Sequence, residues 1–211
     1  MKITIVGAAG GEVTGSAYCV RTMAAGVLMD CGLFQGGKKS EALNRPPTGP
    51  KQKLDAVLLT HGHLDPTGRL PLLAKRGHTA PVYATPATIE MTSLILRDSA
   101  KIQTNDNERR NRKRQRAGEP PQEPLYTSEN AEAIIQRLQP VPYQQTVAVA
   151  PGIQAVWAES GHDGMRLDAI PRHLQTDVPT VASFTAYPLP TLWAPCVRQC
   201  WSLSFSNERS S

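Results

Sequence analysis

The sequence is poor in the residues that usually build thick cores. Only 5% of its 211 residues are aromatic, so aliphatic side chains must fill the interior. No run approaches the roughly 18 apolar residues that a membrane span requires. The segment Met1–Gly7 is too short for the apolar stretch of a secretory leader and reads as a first strand. The expectation is a cytoplasmic protein with no membrane partner. Four cysteines are too few and too scattered for a disulfide scaffold. Cys19 and Cys31 fall in apolar, strand-like segments and read as buried thiols, while Cys196 and Cys200 lack the neighbouring His or Cys of a structural zinc site. Lysine is missing altogether from residues 163–211, which hold a single Gly against five Pro. No amphipathic period organises that stretch, and it reads as an irregular tail of the kind that a frameshift or truncation leaves.

The remainder is ordinary for a globular α/β chain: 40% hydrophobic, 19% charged, and long enough for one domain. The net charge of +5 is concentrated. Arg109, Arg110, Arg112, Lys113, Arg114 and Arg116 place six cations within eight residues. Such a run forms either a solvated helix face or a surface for a polyanion such as RNA.

Strand patterns occur at Lys2–Val6, Ala17–Arg21, Gly26–Asp30 and Asp55–Thr60, with glycine-rich turns between the first three. That order suggests an antiparallel meander. A short helix over Arg69–Arg76 stops at Gly77, and a strand follows at Pro81–Ala84. Thr85-Pro86 opens a longer helix through Asp98 and on toward the basic run. Another helix is predicted over Glu129–Leu138 with Ser128 as its cap, then a hairpin around Pro151-Gly152. Strands first and helices in alternation later point to an α/β sandwich rather than a doubly wound sheet.

The segment with chemical content is Leu58-Leu59-Thr60-His61-Gly62-His63-Leu64-Asp65-Pro66. Two histidines and an aspartate on a loop after an apolar strand can turn toward one point, where imidazole and carboxylate suit zinc. Gly10–Gly15 has phosphate-loop spacing without the Lys that should follow, and no helix pattern supports a dinucleotide fingerprint. His78 and His173 stand alone and read as structural or surface residues.

This segment resembles the His-x-His-x-Asp-His motif of metallo-β-lactamase-fold proteins. Gly7–Ser16, Asp30–Gly36, Gly68–Gly77, Val82–Pro86, Leu96–Ala100 and the stretch from Glu108 to Thr127 are similar to the β-CASP, RNA-processing branch in particular. The likeness runs from residue 1 to about 162 and implies the αββα sandwich of that fold, incomplete in its C-terminal half, with 163–211 as a separate tail. By resemblance one zinc is held by His61, His63 and His162, and a second by Asp65 with further ligands. Asp65 is then the catalytic carboxylate, and a phosphodiester such as RNA the substrate.

Two departures bear on activity. Pro66 stands where the family has its next histidine, and a pyrrolidine ring offers no lone pair to a metal. No Ser-Gly-Asp follows His162, and Asp177 has the wrong neighbours to replace it. The second zinc is therefore in doubt, and the expected enzyme is impaired. The alternatives are a catalytically silent RNA-binding module, or a damaged product without independent function. An apolar sheet face left uncovered would favour self-association.

Overall fold

The structure is a computed structural model that describes residues 1–8, 14–49 and 52–158, together with the backbone of 181–186 and 199–205. It divides into two compact units, Met1–Pro140 and Val141–Ser211. That division falls earlier than residue 162, where the sequence reading places it.

The first unit holds a six-stranded sheet in the order β1 (Lys2–Ile5), β2 (Tyr18–Arg21), β3 (Gly26–Met29), β4 (Ala56–Leu58), β5 (Val82–Ala84), β6 (Leu138–Pro140). The first three strands are the expected antiparallel meander, and β3 through β6 run parallel. Burial follows position. Edge strand β1 is largely exposed, whereas every residue of β3 and β4 is buried. The continuous apolar runs Gly26–Met29 and Ala56–Leu58 are what a parallel strand buried on both faces requires.

Parallel pairing needs crossovers, and five helices lie within them: α1 (Lys38–Glu41), α2 (Leu64–Thr67), α3 (Leu70–Lys75), α4 (Pro86–Arg116) and α5 (Ser128–Ile135). Leu70, Leu72, Leu73, Leu96, Ala100 and Ile134 bring these helices into one core with Leu28, Val57, Leu59 and Val82 of the sheet region. Tyr126 is fully buried within it, its hydroxyl 2.8 Å from Ser99 Oγ.

Thr85 caps α4 by accepting from the Thr88 amide, with Pro86 in the first turn as expected. The helix then runs without Pro or Gly through the whole basic cluster. It stops in a Schellman motif: Gly118 takes φ +72°, its amide reaches Gln115 O at 3.1 Å, and Glu119 N reaches Arg114 O at 2.9 Å. One expectation needs correcting. Thr127, not Ser128, caps α5 in a reciprocal box with Asn130, and the helix ends at Ile135. Leu138 instead starts β6, because the sheet has an open parallel edge at β5 for it to join.

The second unit contains a four-stranded antiparallel sheet, β7 (Thr146–Ala150), β8 (Ile153–Trp157), β10 (Gln199–Phe205) and β9 (Val181–Ala186). The β7–β8 hairpin turns at Gly152, φ +68°. Within 163–211, expected to be irregular, the described backbone is strand at 181–186 and 199–205, and the rest lies outside the described residues.

Among the described residues Arg69 is the largest fully buried side chain, 2% exposed. Its Nε donates to Gly32 O, its two other nitrogens reach Arg45 O at 3.2 Å and Gly15 O at 3.4 Å, and the guanidinium lies 4.8 Å from the Phe34 ring centre. Burial pulls its pKa below the usual guanidinium range. Three carbonyls take the place of a carboxylate partner. Arg69→Met, which keeps the stem and removes the donors, should lower unfolding stability by about 2–4 kcal/mol, because buried carbonyls lose their partners. A denaturation midpoint unchanged from the parent would show that these hydrogen bonds contribute nothing net.

Candidate metal centre

Parallel strands β3, β4 and β5 all point their carboxyl ends the same way, so the segments that follow them gather on one edge of the sheet. Asp30 follows β3, the His61–Asp65 loop follows β4, and Thr85 with α4 follows β5. This topology brings His61, His63 and Asp65 together, with one ligand atom from each lying within 4.8 Å of the others. His61 and His63 meet edge to face, with ring centres 4.9 Å apart at 85°. His61 Nε2 lies 3.8 Å from Asp65 Oδ1. His61 is 8% exposed and the other two are half-buried, so the cluster is reachable from solvent on one side.

Two glycines permit the close packing behind this loop. A Cβ on Gly32 would overlap the Asp65 carbonyl, and one on Gly62 would sit 2.6 Å from Met91 Cβ of α4. The turn after β3 is tied to the turn after β4 by three backbone hydrogen bonds: Cys31 N to Pro66 O at 2.6 Å, Leu33 N to Leu64 O at 3.3 Å, and Arg69 N to Cys31 O at 2.8 Å.

Asp30 is the residue that the sequence reading missed. It is non-glycine at φ +54° and 1% exposed. Its carboxylate accepts from the Thr60 amide at 3.0 Å, from Thr60 Oγ1 at 3.1 and 3.0 Å, and from Ser16 Oγ at 3.4 Å. Thr60 Oγ1 also lies 3.0 Å from His61 Nδ1. With its hydrogen committed to Asp30, the Thr60 oxygen accepts from Nδ1–H. That fixes the ring tautomer and directs the Nε2 lone pair toward the Asp65 side, which a ligating histidine needs. A signal was present: an acid directly after a wholly apolar strand.

The remaining positions sort plainly. Pro66 is buried as the third residue of α2, where a helix has no acceptor for the missing N–H. His63, not Asp65, occupies the cap position of that helix. The basic residues Arg109 to Arg116 lie at the far end of α4, not at this cluster. His78 is structural: Nε2 lies 3.0 Å from Thr48 Oγ1 and its carbonyl accepts from Arg137. His162, His173, Asp177 and Cys196 lie outside the described residues, and Cys200 is described only as backbone of β10.

Burial raises the Asp65 carboxyl, but the neighbouring His61 and, to a smaller degree, His63 favour its anion and bring it below the usual carboxylate range. Desolvation pushes Asp30 the other way, from 3.8 to about 6, against the opposing pull of the Thr60 amide and hydroxyl.

A mixed sheet that offers a His-x-His-x-Asp loop at the carboxyl ends of its parallel strands defines a class: α/β proteins with a candidate metal site at that edge. The chain belongs to the metallo-β-lactamase superfamily. The family model for the β-lactamase superfamily domain matches residues 26–185. Over 164 residues the chain is 38% identical to ribonuclease TTHA0252 of Thermus thermophilus, covering 77% of this chain and 33% of that protein. Over 155 residues it is 32% identical to transcription termination factor FttA of Cenarchaeum symbiosum, covering 72% of this chain and 22% of that one. It therefore spans a third or less of these relatives, which bear out the likeness to the RNA-processing branch. Zinc-bound PqqB from Methylobacterium extorquens aligns with a TM-score of 0.46 at 18% identity, covering 76% of this chain and 56% of that one. No helix among the described residues is long and apolar enough to cross a membrane.

The Asp30 shift has a direction that can be tested in metal-free protein. An acid whose folded pKa is raised contributes stability that is fully present below about 3.8 and lost as pH rises through about 6. The loss is on the order of 3 kcal/mol. Asp30→Asn keeps the shape and removes the titration. The variant's unfolding midpoint should fall less than the parent's between pH 4 and pH 6, a window set by that shift. Parallel pH profiles for parent and variant would contradict the assignment.

Proposed function

We propose that this chain carries the metal-binding core of an RNA-processing phosphodiesterase, with zinc as the ion and RNA as the substrate. The observation that carries this reading is the convergence of His61, His63 and Asp65 at the carboxyl ends of the parallel strands. Its support is the 38% identity to a protein named as a ribonuclease.

Two imidazoles and a carboxylate with ligand atoms within 4.8 Å of one another suit a borderline divalent ion by donor type, and His162 is the third histidine that the family resemblance implies. When bound, the ion supplies Lewis acidity that offsets charge developing on a phosphoryl oxygen. The chain's own residues do the rest. Thr60 and Asp30 hold the His61 ring, and Asp65 stays ionised beside the histidines.

A second reading, the silent RNA-binding module, draws on Pro66. With no nitrogen donor there, a second ion keeps Asp65 as its sole assured ligand, and one carboxylate holds a divalent ion weakly. A one-metal or metal-poor protein that still binds RNA through α4 would fit that reading.

Metal analysis separates the two. Purified chain should carry up to one zinc per molecule, and His61→Ala should abolish it. Pro66→His should raise the metal-to-protein ratio above the parent's, because it restores a donor beside Asp65 while the first-turn position keeps helix α2 intact. A ratio that stays flat in Pro66→His would show that ligands elsewhere limit the second position. Ribonuclease activity that survives chelation and His61→Ala would overturn the metal-dependent reading.

A further inference from the structure

The six cations of the basic run are not equivalent. Arg110 reaches across to Glu41, with the nearest atoms 3.4 Å apart. Arg114 is held by Glu119 at 2.8 Å and by Pro120 O at 2.8 Å. Both belong to the side of α4 on which the returning chain is clasped. Asn107 and Asn111 donate to Gln122 O at 2.9 and 2.8 Å, and Gln122 N donates back to Asn111.

The opposite side is open. At about 100° per residue, Lys101, Arg109, Arg112 and Arg116 fall within an arc of about 80°, with Lys113 at its margin. All five are exposed. Arg109 has only a 3.9 Å contact with Asp106, the kind of surface pair that holds little energy. Among the described residues, no ion pair involves Lys101, Arg112, Lys113 or Arg116. Acids on or beside this arc are Glu90, Asp98 and Glu108, which leaves the end beyond Arg109 strongly positive.

The same arc continues toward the helix start through Ile102, Leu94 and Met91, which are 52%, 67% and 41% exposed. Met91 is the residue whose Cβ faces Gly62, between the two histidines of the metal loop. One continuous stripe therefore runs from that loop to the basic end, about 30 Å between Met91 and Arg112 at the helical rise.

We propose that this stripe is a track for single-stranded RNA: phosphates lie on Arg109, Arg112, Lys113 and Arg116, and the strand is led past Lys101 toward the metal loop. Exposed apolar side chains at Met91, Leu94 and Ile102, with Lys101 beside them and the other cations following, favour unpaired bases, whose flat faces they can cover. A duplex hides those faces and would use the cations alone. Arg110 and Arg114 brace the helix instead. This assignment rests on the RNA reading of the proposed function and adds the surface and the strand form.

The test is binding of fluorescein-labelled oligouridylate to the full chain in chelator, where cleavage does not intrude, over a salt series. The combined variant Arg109→Ala, Arg112→Ala, Arg116→Ala should weaken binding tenfold or more. It should also flatten the slope of log affinity against log salt by about 2, since each single-strand phosphate contact contributes about 0.7. Arg110→Ala should leave affinity within twofold. Leu94→Ser with Ile102→Ser should weaken oligouridylate and leave binding of an RNA duplex unchanged. Helicity by circular dichroism establishes that each variant is folded. Equal losses from Arg110→Ala and the triple variant, tighter binding of duplex than of single strand, or displacement of the RNA by an acidic peptide at equal charge concentration would overturn the track. Binding that follows these rules in a chain that never cleaves RNA would uphold the track and reject the catalytic reading. Cleavage with no effect of the triple variant would do the reverse.

Discussion

The metal loop depends on one backbone constraint, the stitching of the turn after β3 to the turn after β4. The two segments exchange three backbone hydrogen bonds, and Gly32 lies so close to the Asp65 carbonyl that no side chain fits between them. Amides and carbonyls of a buried turn must find partners somewhere. Here each turn supplies the other's. Arg69 closes the arrangement from below by collecting carbonyls from Gly15, Gly32 and Arg45, three separate stretches of loop. The His61, His63 and Asp65 cluster is thus held by backbone contacts and by Arg69, not by contacts among its own side chains alone.

Asp30 shows what such a frame costs. A carboxylate with 1% exposure is disfavoured as an anion, and its pKa rises accordingly to about 6. The fold tolerates it because Thr60 converts that buried charge into orientation, passing one hydrogen bond to Asp30 and receiving another from His61. Stability is given up at neutral pH and an imidazole is fixed in return, the usual pattern for strained or desolvated groups at functional sites.

Much of this was legible from residues alone. The apolar runs of β3 and β4, the Thr85-Pro86 helix start and the His-x-His-x-Asp loop each carry a local signal strong enough to survive any tertiary context. What escaped was non-local or faint. Leu138 pairs as β6 because β5 offers an unpaired edge, a fact about the sheet and not about the segment. In β10, Trp201, Leu203 and Phe205 alternate with Ser202 and Ser204, a period-two pattern masked by the Pro-rich surroundings. The division of the basic run into bracing and open cations could not be read at all, since Glu41 is distant in sequence and its pairing with Arg110 exists only once α4 is placed.

Pro66 separates what the fold needs at that position from what the chemistry needs. The fold uses the carbonyl, which receives the Cys31 amide at 2.6 Å, and the first-turn conformation, which a pyrrolidine ring favours. Neither depends on a side-chain donor. A metal position beside Asp65, by contrast, would draw on a side-chain donor at residue 66. A proline here leaves the loop and the histidine pair in place while offering no nitrogen donor beside Asp65. What the fold takes from residue 66 is backbone and what a metal would take is side chain, so the packing of this loop does not depend on a donor there.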